Sequence, residues 1–574
     1  MPNLNIKHKQ NNTFDAIVIG SGMTGGWAAK EFTEKGLKTL VLERGREVKH
    51  IENYPTTNLQ PWEVKHRGRI NDDLRQENPI VSKCYNFLED SHHFFMKDKE
   101  QPYVQEKPFD WIRGNQTGGK SLLWARQTQR MGDLDFEGPA RDGFAVDWPI
   151  RYKDIAPWYS YVEKFVGISG NYDNLPELPD GEFLPAMGLN CVEQYFSDVV
   201  AEKYNKKRHI IYARCAHITE GRDIFLKQGR GSCQHRDLCR RGCPYGGYFS
   251  ANSSTLPWAA NTGNLSMVNN AVVHSILYDD DKQKATGVKV IDSVTKEVTE
   301  YYASVIFVNA SAFASVHILL NSKSKRFPNG LGNDNGLLGK YVAFHNYRAG
   351  VSAEYEGHLD KHTTGRRPTS AYIPRFRNLY KQETNFLRGY AAGFGAGRMI
   401  INEGTDGVGQ SLKDGLLNPK YGNWYVGSHM MGETIPKEES QIKLHDTLVD
   451  QYGIPQLNIS LGYDDNDEKM IADYIEQLSE MFEAAGFKNI RTRDDHRNPG
   501  LDIHEMGGAR MGHDPETSIL NKWNQIHACK NVYVTDGACM TSTSTQNPSL
   551  TYMALTARAA EHAINESKKG NLNS

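Results

Sequence analysis

The side chains that can do chemistry are gathered in four short stretches. One, near the C-terminal end, is His504-Glu-Met-Gly-Gly-Ala-Arg-Met-Gly-His513, with Asn547-Pro548 further on. Oxidising an alcohol removes a proton from oxygen and a hydride from carbon. A neutral imidazole, with an unperturbed pKa of ~6.5, can take that proton near neutral pH. The amide of Asn547 can orient the same hydroxyl without competing for the proton. Plainer readings stand beside these. A loop histidine next to a glutamate is more often solvated than catalytic, and Asn-Pro is also a helix N-cap followed by proline at the first helical position. His513 reads as structural or as support for the site. Asp536-Gly537, after the apolar Val532–Thr535, either caps a turn or faces a ligand.

The second stretch, Cys233-Gln-His-Arg-Asp-Leu-Cys239-Arg-Arg-Gly-Cys243-Pro244, holds three of the eight cysteines. A disulfide fits poorly in a chain without a secretory signal. Zinc would need His235 beside Cys233, a poor chelate geometry at that spacing. Thiolates hold iron–sulfur clusters, and Cys-Pro commonly closes their binding loops. Three thiolates match a 3Fe–4S cluster, or a 4Fe–4S cluster completed from elsewhere. Zinc and bare thiols remain as alternatives. Arg236, Arg240 and Arg241 either tune such a cluster, dock an electron acceptor or form a solvated face. Cys84, Cys191, Cys215, Cys529 and Cys539 have no ligand spacing and read as core residues.

The third stretch is Gly20-Ser-Gly22-Met-Thr-Gly25-Gly26, between the apolar run Ala16–Ile19 and the helix-like Trp27-Ala-Ala-Lys-Glu-Phe32; Thr39–Leu42 then leads to Glu43. Strand, glycine turn, helix, strand and acid is the order of a dinucleotide-binding βαβ unit. Gly20 permits the tight turn, Gly22 the approach of a pyrophosphate, and Gly25 close helix packing, with the helix N-terminus facing the negative charge. Glu43 can accept hydrogen bonds from ribose hydroxyls. The motif alone does not separate NAD from FAD. The fourth stretch, Gly114-Asn-Gln-Thr-Gly118-Gly119-Lys120-Ser121, has the spelling of a nucleotide-triphosphate loop. The preceding Lys107–Arg113 carries a proline and charges and is a poor buried strand. A glycine loop opening a helix at Leu122 is equally suited to lie against a flat cofactor.

These stretches need a large scaffold, and the chain supplies one. It has 574 residues, 39% hydrophobic and 24% charged, and a net charge of −2. That balance excludes a disordered chain and argues against nucleic-acid binding, which usually shows a basic excess. No run approaches the ~20 apolar residues of a membrane span. Met1–Gln10 carry Lys7 and Lys9 but no apolar run, so a cytoplasmic chain, or one exported folded by another device, is expected. Val305–Ala310 reads as a central parallel strand. Roughly 335–465 alternates polar and apolar residues, as in Tyr341–Tyr347 and Trp424-Tyr-Val-Gly, and predicts antiparallel sheet with one wet face.

Taken together, the fingerprint with Glu43, the glycine loop at 118–121, His504 with its glycine-rich sequel, and Asp536-Gly537 before the last helix resemble the glucose–methanol–choline (GMC) oxidoreductases over nearly the whole chain. The resemblance implies an α/β fold. A Rossmann-like FAD-binding lobe (10–50, 105–130, 255–330, 500–565) interleaves with an α+β substrate lobe on a largely antiparallel sheet (131–230, 331–499). A Cys-rich loop (231–254) and a disordered tail (566–574) complete the expectation. It implies FAD as cofactor, His504 as base and Asn547 as its partner, in the His–Asn form of sugar-oxidising branches. Asp536 and Gly537 then hold the ribityl or phosphate region, Val272 touches adenine through its backbone, and Gly118, Gly119 and Ser121 lie against the cofactor.

The cysteine spacing resembles the catalytic subunits of bacterial FAD-dependent sugar dehydrogenases, which carry an iron–sulfur cluster beside the flavin. The function so implied is dehydrogenation of a secondary hydroxyl of a sugar or glycoside, with C-3 of glucosides the first choice and C-1, C-2 or C-5 open. The partners so implied are a small subunit bearing an export signal and a cytochrome or other one-electron acceptor.

Overall fold

Two short apolar strands and the helix between them begin the architecture of the computed structural model, which describes residues 12–361, 369–401, 408–418 and 420–572. Residues 1–10, on which the absence of a signal was argued, lie outside these. Thr13–Ile19 buries its last four residues, and Thr39–Leu42 is buried throughout, as a strand covered on both faces must be. They pair in parallel, and the parallel set continues through Val298–Val308 to Cys529–Val534 on one side and to Leu265–Val268 on the other. Residues from both ends and the middle of the chain thus share one sheet. The helices Met23–Glu34 and Ser549–Lys568 meet over it through small residues, Ala28 and Ala29 against Ala559, Ala560 and Ala563. Small side chains let the two backbones come close.

The second sheet is antiparallel, as the alternation in 335–465 predicts. Its strands run in the order Lys488–Asp494, Ala349–Tyr355, Lys420–Glu433, Tyr390–Ile401, Ala371–Ile373 and Ile211–Tyr212. The helix Asp465–Ala484 covers one face with Met470, Tyr474, Leu478, Met481 and Phe482, spaced at three and four residues. A two-residue strand, His345–Asn346, pairs with the end of Lys420–Glu433, His345 opposite Glu433. This is the mixed architecture expected: a parallel nucleotide-type sheet and a largely antiparallel one.

Two local expectations fail. Beyond the glycine loop there is no α-helix at Leu122; Gly119–Leu122 forms one 3₁₀ turn, and the chain then leaves in an irregular path with Arg126 at a left-handed φ of 67°. The described part of the tail is also ordered. The last helix runs to Lys568, and Leu572 is buried against the parallel-sheet core, with Asn571 and Lys569 bonded back to Glu566. One apolar residue at the end of a polar segment is enough to dock it.

Candidate active site

Between the two sheets lies a cavity of about 510 Å³. Its wall brings together Gly20, Gly22, Glu43, Gly119, Ser121, Val272, His504, Asp536, Gly537 and Asn547, residues spread over more than five hundred positions. Gly25 and Gly118 stand behind the wall. A side chain at Gly25 would put Cβ 1.9 Å from the Gly20 carbonyl oxygen, so the helix lies directly on the turn. Gly20 itself has φ +98°. The sequence of the fingerprint is therefore a steric description of this corner.

Several groups read as ligand contacts have protein partners that define their first task. Glu43 accepts from the Ser21 N–H at 3.1 Å and hydroxyl at 2.5 Å, and from the Gly45 N–H at 2.8 Å. It ties the end of the second strand to the glycine turn, and burial raises its pKa. Ser121 donates to the Gly118 carbonyl and accepts from the Ala251 N–H, which staples the glycine loop. Lys120 extends across the cavity wall to an ion pair with Glu505 at 2.8 Å and takes no part in a phosphate loop, since residues 106–113 form no strand leading into Gly114. Asp536 does cap a turn: its carboxylate accepts from the Ala538 N–H and the Ser315 hydroxyl, and burial pushes its pKa up to about 6. It also borders the cavity.

The catalytic candidates resolve differently. Asn547 is not the helix cap; the cap position is Pro548, the helix starts at Ser549, and no side chain caps it. The Asn547 amide turns instead to His504, with Nδ2 3.4 Å from Nε2. Pro548, Ser549 and Tyr552 border the cavity, so the positive end of this helix faces it. Burial, then the neighbouring His345 and Lys120, hold the His504 pKa well below its ordinary 6.5, which keeps the ring neutral. His513 is 65% exposed, with Asp147 3.9 Å away, and does not support the site.

One residue was missed. The buried ring of His345 places Nδ1 2.9 Å from Nδ1 of His504, and its Nε2 lies 3.0 Å from the Ser544 carbonyl oxygen. Asp502 Oδ2 accepts the backbone N–H groups of both histidines. Among the described residues, His345, Asp502 and His504 are the only set offering three ligand-type atoms all within 4.8 Å of one another. His345 sits 159 positions before His504 in a stretch that reads only as alternating strand, so no local signal marks it.

The residues fit a large cofactor that presents polar groups along its length. Buried polar atoms on the cavity wall lack protein partners at Trp111 Nε1, Asn309 Oδ1, Glu505 Oε1 and Tyr552 Oη. Such groups are costly unless something bound there satisfies them.

A second, small cavity of about 20 Å³ is lined by Cys233, Cys239 and Cys243 together with His217, Tyr245 and Tyr248. Cys239 Sγ lies 3.7 Å from His217 Nε2, and His217 Nδ1 is buried without a partner. The loop's arginines are spent holding it down. Arg240 and Arg241 both pair with Asp90, and Arg236 donates to the Thr57 carbonyl. Arg126 joins the two cavities: it borders the larger, and its guanidinium lies 5.0 Å from the ring centre of Tyr248. Cys84, Cys215, Cys529 and Cys539 are buried, Cys191 is half-buried, and no cysteine among the described residues is in a disulfide.

Comparison with known proteins agrees with this geometry. GMC oxidoreductase sequence profiles match residues 196–345 and 436–556. The 2-methyl-1,2-propanediol dehydrogenase of Mycolicibacterium austroafricanum is 28% identical over 96% of this chain and 94% of its own. The fructose dehydrogenase large subunit of Gluconobacter japonicus is 24% identical over 97% and 98%, and the gluconate 2-dehydrogenase flavoprotein of Pantoea cypripedii 25% over 96% and 93%. Pyridoxine 4-oxidase from Mesorbium loti has the same fold, with a TM-score of 0.59 at 15% identity over 96% of this chain and 99% of that one. A parallel sheet with a glycine turn, an antiparallel sheet and a histidine beside an amide in the cavity between them thus come with matching sequence profiles: the chain belongs to the GMC oxidoreductases, FAD-dependent enzymes acting on CH–OH donors.

Proposed function

We propose that this enzyme oxidises a secondary hydroxyl of a sugar or glycoside, C-3 of a glucoside first among the candidates, to the ketone. The observation that carries the reading is the 3.4 Å approach of the Asn547 amide to Nε2 of a half-buried, neutral His504 on the cavity wall. His504 takes the hydroxyl proton at Nε2 and Asn547 holds the oxygen. Arg126, Gln127, Tyr347 and His429 add polar groups suited to a polyhydroxylated ring. FAD, when bound, supplies the hydride acceptor; Gly20, Gly22 and the helix after them would hold its pyrophosphate, Glu43 its ribose, Val272 its adenine, and Gly119, Asp536 and Gly537 would lie along it. Oxidation at C-1, C-2 or C-5, or an oxidase of the same substrates, are the competing readings.

Cys233, Cys239 and Cys243 would hold an iron–sulfur cluster, of the 3Fe–4S type, that takes electrons one at a time to a cytochrome or similar acceptor. The three thiols border one cavity, which supports a ligand shared by all three. The fructose dehydrogenase relative is a large subunit, which supports a small partner subunit here.

Anaerobic absorption and EPR spectra before and after adding a glucoside test the whole reading. Flavin bleaching by the glucoside and a cluster signal in the oxidised protein are expected; no flavin overturns the cofactor, and no signal overturns the cluster. His504→Ala is expected to keep FAD and to lose reduction by ~10²–10⁴-fold, the usual worth of a general base. Unchanged reduction would remove His504 from that role.

A further inference from the structure

His345 belongs to none of the stretches that marked the site, yet its bonds determine what the base can do. Its Nε2 lies 3.0 Å from the Ser544 carbonyl oxygen. A carbonyl only accepts, so this nitrogen carries the proton. Burial holds the His345 pKa down to about 4, so the ring is neutral and its Nδ1 has only a lone pair. That lone pair lies 2.9 Å from Nδ1 of His504. A short contact between two ring nitrogens is bonding only if one of them is protonated, so His504 must carry its proton on Nδ1. Its Nε2 is left with a lone pair, on the side where the Asn547 amide donates.

We propose that His345 is a positioning residue that fixes the tautomer of His504, with Ser544 as the anchor of the relay. The inference rests on His504 being the base. In the reaction, the substrate O–H bond breaks and an N–H bond forms at His504 Nε2. The substrate C–H bond breaks with its electron pair leaving as hydride to the bound cofactor, and the carbonyl forms. His504 becomes an imidazolium whose Nδ1–H remains bonded to the neutral His345, so no proton moves along the relay.

The arrangement differs from one in which a carboxylate orients the histidine. Asp502 is adjacent, but its carboxylate takes the backbone N–H groups of His345 and His504 and not a ring nitrogen. Burial also pushes its pKa up to about 7. A neutral orienter leaves the base weakly basic and adds no buried charge beside the cavity.

The test is the rate of anaerobic flavin reduction by a glucoside in His345→Leu and His345→Gln, with His504→Ala as reference and flavin retention and thermal melting as controls. Leucine fills the space but accepts nothing. Losing the correct tautomer in a serine-protease triad costs ~10⁴-fold, and here a fall on the order of 10²-fold or more is expected, with little change in the apparent substrate affinity. Glutamine can accept from His504 Nδ1–H through Oε1 and donate to the Ser544 carbonyl through Nε2, and it should restore most of the rate. Leucine at the wild-type rate, or glutamine as slow as leucine with both proteins folded and flavin-loaded, overturns the relay. If His504→Ala is itself fast, the base assignment fails; if His504→Ala is slow and His345→Leu fast, only the relay fails.

Discussion

The two cavities meet at Arg126 and Tyr248 but are built in opposite ways. The larger takes Gly20 from one end of the chain, Tyr347 from the middle and Asn547 from the other end. The smaller takes nearly all its lining from 233–248, with His217 the main addition. A site assembled from remote segments inherits the stiffness of the cores that hold them, so its hydrogen bonds exist before anything binds. A site on one loop has its donors listed in order along the chain, but its shape depends on what it holds and on the ties that anchor it, here Arg240 and Arg241 on Asp90.

The largest expected effect falls on the stiff side. Gly25→Val forces its Cβ into the Gly20 carbonyl; the turn cannot keep its shape, and the purified protein should carry no flavin. Full flavin absorbance would mean that this corner is softer than its packing indicates. Next is Cys239→Ser, which should lower iron content and abolish electron transfer to a one-electron acceptor, while bleaching of the flavin by glucoside changes far less. Transfer that survives would take the loop off the electron route.

Asn547→Ala removes a buried donor and leaves its partner unmatched, worth ~1–3 kcal/mol. Flavin reduction should slow by roughly 10- to 100-fold at 1.36 kcal/mol per factor of ten. A variant at full speed would return Asn547 to a packing role.

The smallest effect is in pH. A base must be neutral to work, and burial holds the His504 pKa well below 6.5. The proton therefore blocks the base only at lower pH, and the flavin-reduction rate should be level through neutrality and fall only well below the ordinary imidazole range. An acid limb centred above pH 7 would contradict a neutral ring.

Much of this was legible because its causes are local. The glycine turn is written in neighbours that must touch, Gly20 and Gly25, and the strands around it are short apolar runs. The cysteines stand out because spacing within one loop survives folding. What failed was decided at a distance. Nothing near Leu122 announces that the chain must bend away to bring Arg126 against Tyr248. Nothing near Glu566 reveals that Leu572 has a core to enter. Arg240 and Arg241 looked solvated or available because Asp90 lies 150 residues earlier.

By itself, then, the sequence determined the kinds of chemistry present: a phosphate-approaching turn, a histidine and an amide near the C-terminal end, and a trio of thiols. Each is a property of residue type and short spacing. Only the tertiary structure decided which of them act together. It turned Asn547 from a helix cap toward His504, assigned Lys120 to Glu505, and set His345 behind the base. The physical reason is that a proton's position on an imidazole follows from the groups on its far side, and those groups come from strands that meet only when the two sheets pack.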